Sequence, residues 1–349
     1  MFELFISKDA LTKLYFDRAT SPNDWLKVIG KQRTLFLMNS QGEIDVDISD
    51  PNSLFSLYMR ANGKNKDIFE PSPITLSDIQ SKHERVLDNP CGCYLLDIDK
   101  TEAEAIQKDF GVICQSTKDY QACPLTFEEF PISPKKNETG YNWNRFSVTC
   151  SMIPSNAIII NDRNLLHAKT GNDLHGLSNI EEILQTILPV TLASTYHVGI
   201  IIGSESGKPI INSPHDYESI VTELERIKKR LNRPYTIIMS LLVVDNGDQT
   251  CWEKTHDRRI ISNYYFFTAD HKFAAFWNGK STETQSINLI PDYCKGLVNG
   301  ADAPVKDHQD KVDGYKYVIS HWGSNPNNKY ASGLNTKANI KDLQHRLLQ

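Results

Sequence analysis

The chain has 349 residues, of which 40% are hydrophobic and 23% charged, and its formal net charge is −5 at pH 7. This composition excludes a largely disordered chain, and the acidic balance means that any nucleic-acid binding depends on a local basic surface. The longest apolar runs, such as Val198 to Ile202, are far shorter than the ~18 residues of a membrane helix, so no transmembrane segment is expected.

The start of the chain and the cysteines predict a cytoplasmic location. Four charged side chains interrupt the apolar residues between Met1 and Phe16, a pattern of neither a signal peptide nor a membrane anchor. The seven cysteines are odd in number and include no Cys-x-x-Cys pair. We therefore expect free thiols in a reducing compartment, with no metal site and no cofactor.

Residues 1–120 predict an N-terminal α+β domain whose role the sequence does not reveal. Leu35 to Met38 and Tyr94 to Ile98 have the composition of strands. Thr101 to Phe110 favours a helix capped by Thr101 and ended by Gly111, and Val112 to Cys114 reads as the next strand. The result is a β-α-β unit.

Residues 121–145 predict a linker. This stretch contains Pro124, Pro131, Pro134 and Gly140 and has little periodic apolar pattern. Proline fixes φ and removes a backbone donor, so regular structure is disfavoured here.

Residues 146–300 alternate strands and helices. Three apolar runs are typical of buried strands: Ala157 to Ile160, Val198 to Ile202 and Tyr235 to Val244. Between them, Ser178 and Glu181 predict a capping box for a helix that Pro189 ends, and Pro214 suits the first position of a second helix.

Two further strands are predicted after these elements. Ile260 to Thr268 and Phe273 to Trp277 form a hairpin joined at Asp270-His271. The whole order indicates an α/β fold, with a largely parallel sheet, antiparallel additions and flanking helices. Residues 301–349 are expected to form an extension, loosely ordered from Ser324 to Asn339 and ending in a short helix from Ile340 to Leu348.

A polar segment directly precedes the strand at Ile260, and it contains Trp252, His256, Asp257 and Arg258. Ligands of open α/β sheets bind in the crevice at strand ends. Arginine offers a planar fork to an anion, and histidine exchanges a proton near neutral pH, so the segment predicts an anion or phosphate site. A solvated loop with surface ion pairs explains the same spacing equally well.

Two further candidates follow the strand from Ala157. Asp162 and Arg163 end that strand and could face the same crevice. Trp252 is either a stacking platform for a base or a lid on the core. We take Asp257, Trp252, Asp162 and Arg163 as candidate substrate-binding residues. His197 opens a buried strand and is read as a hydrogen-bonded core histidine.

The segment His256-x-Arg258-(x)4-Asn263 resembles the His-x-Lys-(x)4-Asp motif of the phospholipase D superfamily. It is most similar to the subgroup with His-Asp-Arg at this turn, such as the C-terminal domain of microtubule-interacting-and-transport-domain proteins. Ala157 to Asp162 also resembles the first strand of such domains. The resemblance covers about residues 150–295 and implies a phospholipase D-like mixed sheet flanked by helices.

The resemblance implies a metal-independent phosphodiesterase in which one histidine attacks phosphorus and a second protonates the leaving group. His256 would be the nucleophile or acid, Arg258 the phosphate clamp and Asn263 the last position of the motif. Because the chain contains one motif, a two-histidine site requires a homodimer.

Three hypotheses stay open, because arginine replaces the lysine of the motif and asparagine replaces its aspartate. The first is a phosphodiesterase, in particular a nuclease, with bacterial defence as a setting suggested by analogy. The second is a non-catalytic module that binds nucleic acid, a nucleotide or a lipid headgroup. The third is a scaffold subunit of a multi-protein system, with the N-terminal half as its docking domain.

Overall fold

The computed structural model describes residues 3–7, 9–11, 35–38, 69–118, 130–132, 153–166, 175–204, 214–269, 276–277, 280–281, 287–290, 303–328, 331–333 and 345–348. The chain divides into two compact units, which we call unit 1 (residues 1–127 and 292–306) and unit 2 (residues 128–291 and 307–349). Residues 307–349, expected as an extension, therefore belong to the same unit as the predicted C-terminal α/β domain.

Unit 1 contains a parallel sheet. Its described strands are β1 (Glu3–Ser7), β2 (Leu35–Met38), β3 (Phe69–Pro71), β4 (Gly92–Leu96) and β5 (Ile113–Ser116), and its helices are α1 (Leu76–Ser81) and α2 (Lys100–Phe110). The order β3-β2-β1-β4-β5 is that of a doubly wound sheet. Phe5 stacks between Phe36 and Tyr94 in the core, at ring distances of 5.0 and 4.9 Å.

The predicted β-α-β unit is confirmed as β4, α2 and β5. Gly111 ends α2 in the left-handed conformation, with φ of 63°. The predicted cap is wrong, because the helix begins one residue earlier and Asp99 is its N-cap. Cys91, Cys93 and Cys114 of this unit and Cys251 of unit 2 are free thiols.

Unit 2 contains a mixed sheet with helical cover. Its described strands are β6 (Phe130–Ile132), β7 (Ala157–Asn161), β8 (Tyr196–Ser204), β9 (Ile237–Asp245), β10 (Arg259–Ser262), β11 (Phe266–Ala269), β12 (Phe276–Trp277), β13 (Lys280–Ser281), β14 (Ile287–Ile290) and β15 (Ala331–Gly333). The helices are α3 (His175–Ile187), α4 (Pro214–Arg230), α5 (Gln249–Lys254) and α6 (Ala303–His321), of which residues 307–321 belong to unit 2. The described part of the chain forms an eight-stranded sheet, β15-β9-β8-β7-β10-β11-β14-β6, and a ribbon of β12 and β13.

Strands β7, β8 and β9 are parallel, and every other pair in this sheet is antiparallel. The apolar runs predicted as buried strands are confirmed, and all five residues of β7 are buried. The α/β fold class is therefore correct. Within the described residues, no helix combines the length and apolar character needed to cross a membrane.

Helix α4 begins at Pro214 as predicted, whereas α3 begins at His175. Ser178 therefore lies inside α3, and the predicted capping box at Ser178 and Glu181 is wrong. Arg230 of α4 instead donates two hydrogen bonds of 2.8 Å to Glu181, which ties the two helices together at the surface.

The predicted pairing of residues 260–268 with residues 273–277 is wrong, because β10 pairs with β11, β11 also pairs with β14, and β12 pairs with β13. Chain reversal occurs at Asn263-Tyr264, between β10 and β11, where the Ser262 N–H donates to the Tyr265 carbonyl at 2.8 Å. The Ser262 hydroxyl accepts hydrogen bonds from the N–H groups of Tyr264 and Tyr265, and this local bonding stabilises the turn. The aromatic residues of the run favour strand structure, which is why the sequence predicted a single strand here. Asp270-His271 lies outside the described residues.

The C-terminal region is more ordered than expected. Helix α6 was not predicted, and β15 pairs with β9 inside the stretch expected to be loose. Asn328 is buried and bonds Asp245 and Asp248. A 3₁₀ turn at Arg346–Leu348 covers part of the predicted last helix, whose residues 340–344 lie outside the described residues.

Candidate functional site

The sheet of unit 2 reverses its strand order at β7. Strands β8 and β9 lie on one side of β7, whereas β10 returns to the other side. The ends of β7, β8 and β9 therefore share one edge with the start of β10, and we call this the carboxyl edge. A reversal of this kind opens a crevice at the strand ends, which is where ligands of open α/β sheets bind.

Asn161, the last residue of β7, holds the segment before β10 in place. Its buried side-chain amide donates to the Thr255 carbonyl at 3.2 Å and also to the Asp257 carbonyl. A buried amide group must find such partners, because leaving it unpaired costs about 1–3 kcal/mol. The backbone on both sides of His256 is thereby fixed to the end of β7.

Asp162 and Arg258 meet across the carboxyl edge. Asp162 is completely buried, and its Oδ1 accepts the Asn164 N–H at 2.9 Å. The same oxygen lies 3.7 Å from Nε of Arg258, whose side chain is 28% exposed. The carboxylate therefore orients a guanidinium that still reaches solvent.

Asp257 binds two cations. Its Oδ2 accepts from Lys311 Nζ of α6 at 2.6 Å and lies 3.2 Å from the Arg259 guanidinium. The hydrogen bond and charge of Lys311, helped by Arg259, lower the pKa of Asp257 to about 2. This carboxylate joins α6 to β10, so its contacts with Lys311 and Arg259 are structural.

Arg163 and Trp252 form a stacked pair beside this network. The Arg163 guanidinium lies 4.1 Å from the centre of the Trp252 ring and donates a hydrogen bond to the backbone carbonyl oxygen of Trp252. Gly203 of β8 permits the approach, because a Cβ there would lie 2.8 Å from the ring and 2.9 Å from Arg163 Cβ. One face of Trp252 is thus covered by Arg163, and the ring positions the arginine.

The His256 side chain is largely exposed, at 70%. Its Nδ1 lies 3.5 Å from Asp257 Oδ1, and its backbone N–H donates to the Glu253 carbonyl. The imidazole therefore lies beside an ionised carboxylate and faces solvent, where it can accept or donate a proton.

The structure does not bring Asn263 together with His256. Asn263 is completely buried, and its Oδ1 accepts the N–H groups of Asn156 and Ala157 at 3.0 and 3.1 Å. These amides begin β7, whereas Asp162 follows its end, so about 20 Å of strand separates the two places. The described hydrogen bonds of Asn263 hold the turn after β10 against the start of β7.

Cationic side chains gather around His256 at the carboxyl edge. The contacts above include four cations, Arg163, Arg258, Arg259 and Lys311, and two carboxylates, Asp162 and Asp257. Asp245 at the end of β9 and Asp248 at the start of α5 are two further acidic residues of this edge, so the cations are clustered but not in excess. Glu253 and Lys254, next along the chain, balance each other. In the described parts of the chain, no group of three or more histidine, cysteine or acidic side chains is arranged to hold a metal ion. The chemistry that the arrangement of cationic side chains supports is anion binding.

Sequence reasoning missed Asn161, Arg259 and Lys311. Asn161 ends an apolar run, so its polarity at a strand end was a usable signal. Lys311 is 54 residues from its partner Asp257, in a helix that was not predicted, and no local pattern indicates that contact.

Comparison with known proteins adds no identification of this site. No protein-family model, curated protein or solved structure matches the chain.

Proposed function

We propose that unit 2 binds the phosphate groups of a phosphodiester ligand at the carboxyl edge. The observation that carries the proposal is the cluster of four cationic side chains, with a partly exposed Arg258 guanidinium, at a reversal of strand order. Arg258 would supply the principal contact, because Asp162 orients its guanidinium and a planar fork matches a phosphate. Arg163 and His256 would complete the site.

The resemblance to a phospholipase D-like domain stays part of this proposal. Supporting it are β7, which Asp162 directly follows, and the His-Asp-Arg turn that directly precedes β10. We favour recognition over cleavage, because the described bonds of Asn263 are structural and lie at the far end of β7. A cytoplasmic location belongs to the same proposal, and cell fractionation tests it.

The direct test measures binding of an abasic deoxyribose-phosphate oligomer by fluorescence anisotropy. Arg258→Gln should weaken binding about 10- to 100-fold, the range for a charge-assisted hydrogen bond to an ion. The slope of log affinity against log salt concentration should fall by about one unit. Arg226→Gln is the matched control, because this arginine lies exposed on α4 and pairs with Glu223. Equal affinities for the two variants would contradict the proposal.

The contact between His256 and Asp257 favours a second candidate, a metal-independent phosphodiesterase. An ionised aspartate beside the ring would support a histidine that attacks phosphorus or protonates a leaving group. The test is cleavage of labelled oligonucleotides with EDTA present, comparing the wild type with His256→Ala. Activity that survives the substitution, or that EDTA abolishes, excludes this mechanism.

A further inference from the structure

We propose that Asp257 is an internal competitor of the ligand, because its carboxylate occupies cations that a phosphate group of the ligand takes over on binding. This inference rests on the proposed function and adds a regulatory contact to the same site. Its distinguishing consequence is a sign: removing the negative charge at position 257 should strengthen phosphate binding. An aspartate that contacts the substrate, or one that only supports the fold, predicts weaker or unchanged binding.

The contacts of the Asp257 carboxylate resemble those of a bound phosphate. Lys311 Nζ and the Arg259 guanidinium donate to Oδ2 at 2.6 and 3.2 Å. The second oxygen, Oδ1, lies 3.5 Å from His256 Nδ1. Lysine, arginine and protonated histidine side chains also bind phosphate oxygens, so the carboxylate and a phosphate would compete for the same donors.

The carboxylate is more exposed than the cations that it binds. The Asp257 side chain is 44% exposed, whereas the side chains of Lys311 and Arg259 are 28% and 13% exposed. A partly exposed carboxylate can turn towards water without movement of β10 or α6. An anion from solvent therefore gains the two cations by displacing a carboxylate that becomes hydrated in exchange.

The packing of α6 does not depend on the ion pair that a ligand would open. Val312, Tyr315 and Val318 are buried, and their i, i+3, i+6 spacing places them on one face of the helix. Burial of this face holds α6 in unit 2, whereas a partly exposed ion pair adds little to stability. The contact between Lys311 and Asp257 can therefore break while the helix stays in place.

The competition favours ligands with several phosphates over single phosphate ions. Lys311 lowers the pKa of Asp257 to about 2, so the carboxylate is negative at neutral pH. A tethered anion acts at an effective concentration of about 1 mM or more, which a free phosphate ion must exceed. An oligomer that is anchored at Arg258 presents its neighbouring phosphates at a similar effective concentration. The ligand class is therefore a chain of phosphodiesters.

The experiment measures binding of the abasic deoxyribose-phosphate oligomer to the full chain by fluorescence anisotropy. Asp257→Asn should bind about 3- to 30-fold more tightly than the wild type, the range for two partly exposed ion pairs that no longer need to break. The slope of log affinity against log salt concentration should become steeper by about one unit. Asp310→Asn is the matched control, because it removes the same charge from an exposed position of α6 next to Lys311 in sequence. Screening by salt should keep its effect below about twofold.

A double-mutant cycle tests the competition for Lys311 directly. Lys311→Met should weaken oligomer binding more in the Asp257→Asn background than in the wild type, because only there is Lys311 fully available to a phosphate. Equal losses in the two backgrounds would contradict the competition. Displacement of the oligomer from the wild type by inorganic phosphate well below about 1 mM would contradict the preference for chains.

The remaining outcomes separate this inference from the proposed function. If Asp257→Asn binds no more tightly than Asp310→Asn while Arg258→Gln weakens binding, the competition is refuted and phosphate recognition stands. If Arg258→Gln does not weaken binding, the proposed function itself fails. Loss of the fold in Asp257→Asn, measured by circular dichroism, would also overturn the inference, because the ion pair is assigned a minor part in stability.

Discussion

Replacing Asn263 with alanine should destabilise the start of β7 and leave phosphate binding intact. Three hydrogen bonds depend on this side chain: two from the N–H groups of Asn156 and Ala157, and one to Asn156 Oδ1 at 3.0 Å. Alanine removes all three from a completely buried position.

The expected loss is about 3 kcal/mol of local opening free energy. A buried polar group that loses its hydrogen-bond partner costs about 1–3 kcal/mol. The total for three lost bonds is reduced because water can enter the cavity left by the Asn263 side chain and bond some of the unpaired groups. Asn263→Asp should cost at least as much, because its carboxylate accepts both N–H groups but is completely buried and places its second oxygen beside Asn156 Oδ1.

Hydrogen–deuterium exchange of peptides covering residues 153–161 is the appropriate assay, because a chain of two units need not unfold in a single step. The alanine variant should exchange about 100-fold faster there, which corresponds to a loss of about 3 kcal/mol. Peptides of unit 1, such as those covering β4, provide an internal control.

The structural reasoning is refuted if exchange at the start of β7 is unchanged while affinity for the abasic oligomer falls. Asn263→Asp also restores the aspartate of the phospholipase D motif. If it raised phosphodiesterase activity, position 263 would have a catalytic role despite its distance from the carboxyl edge.

Three further variants test the surroundings of the site and the C-terminal segment. Lys311→Met should raise the pKa of Asp257 from about 2, as measured by NMR titration, and should remove about 1 kcal/mol of stability after allowance for solvent screening. The stabilisation by ionised Asp257 exists above about pH 4 and disappears as the pH falls towards 2. An unchanged pKa of Asp257 would contradict the assigned role of Lys311. Burial, followed by the charge of nearby His197, lowers the pKa of His345 to about 3. The neutral ring therefore stabilises the fold above about pH 6.5. The protection factors of wild-type residues 345–348, which correct for the intrinsic pH dependence of exchange, should fall at least about tenfold near about pH 5, whereas His345→Phe should lose this dependence. Gly203→Ala should displace Trp252, change its fluorescence and cost about 1–3 kcal/mol; an unchanged spectrum would refute the packing argument.

The sequence by itself determined the local elements and the segment that contains the candidate site. Apolar runs predicted β7, β8 and β9, Pro214 predicted the start of α4, and Gly111 predicted the end of α2. These features depend on residues within a few positions of one another, through burial of a short run, the fixed φ of proline or the freedom of glycine. The His-Asp-Arg segment was recognisable for the same reason.

Only the tertiary structure decided which residues meet. Asn263 bonds Asn156 across 107 positions, so the last residue of an apparent motif lies at the start of β7, far from His256. Lys311 reaches Asp257 across 54 positions, from a helix that no local pattern predicted. Such contacts follow from the order in which strands pair and helices cover them, which the sum of long-range packing energies determines and local periodicity does not encode.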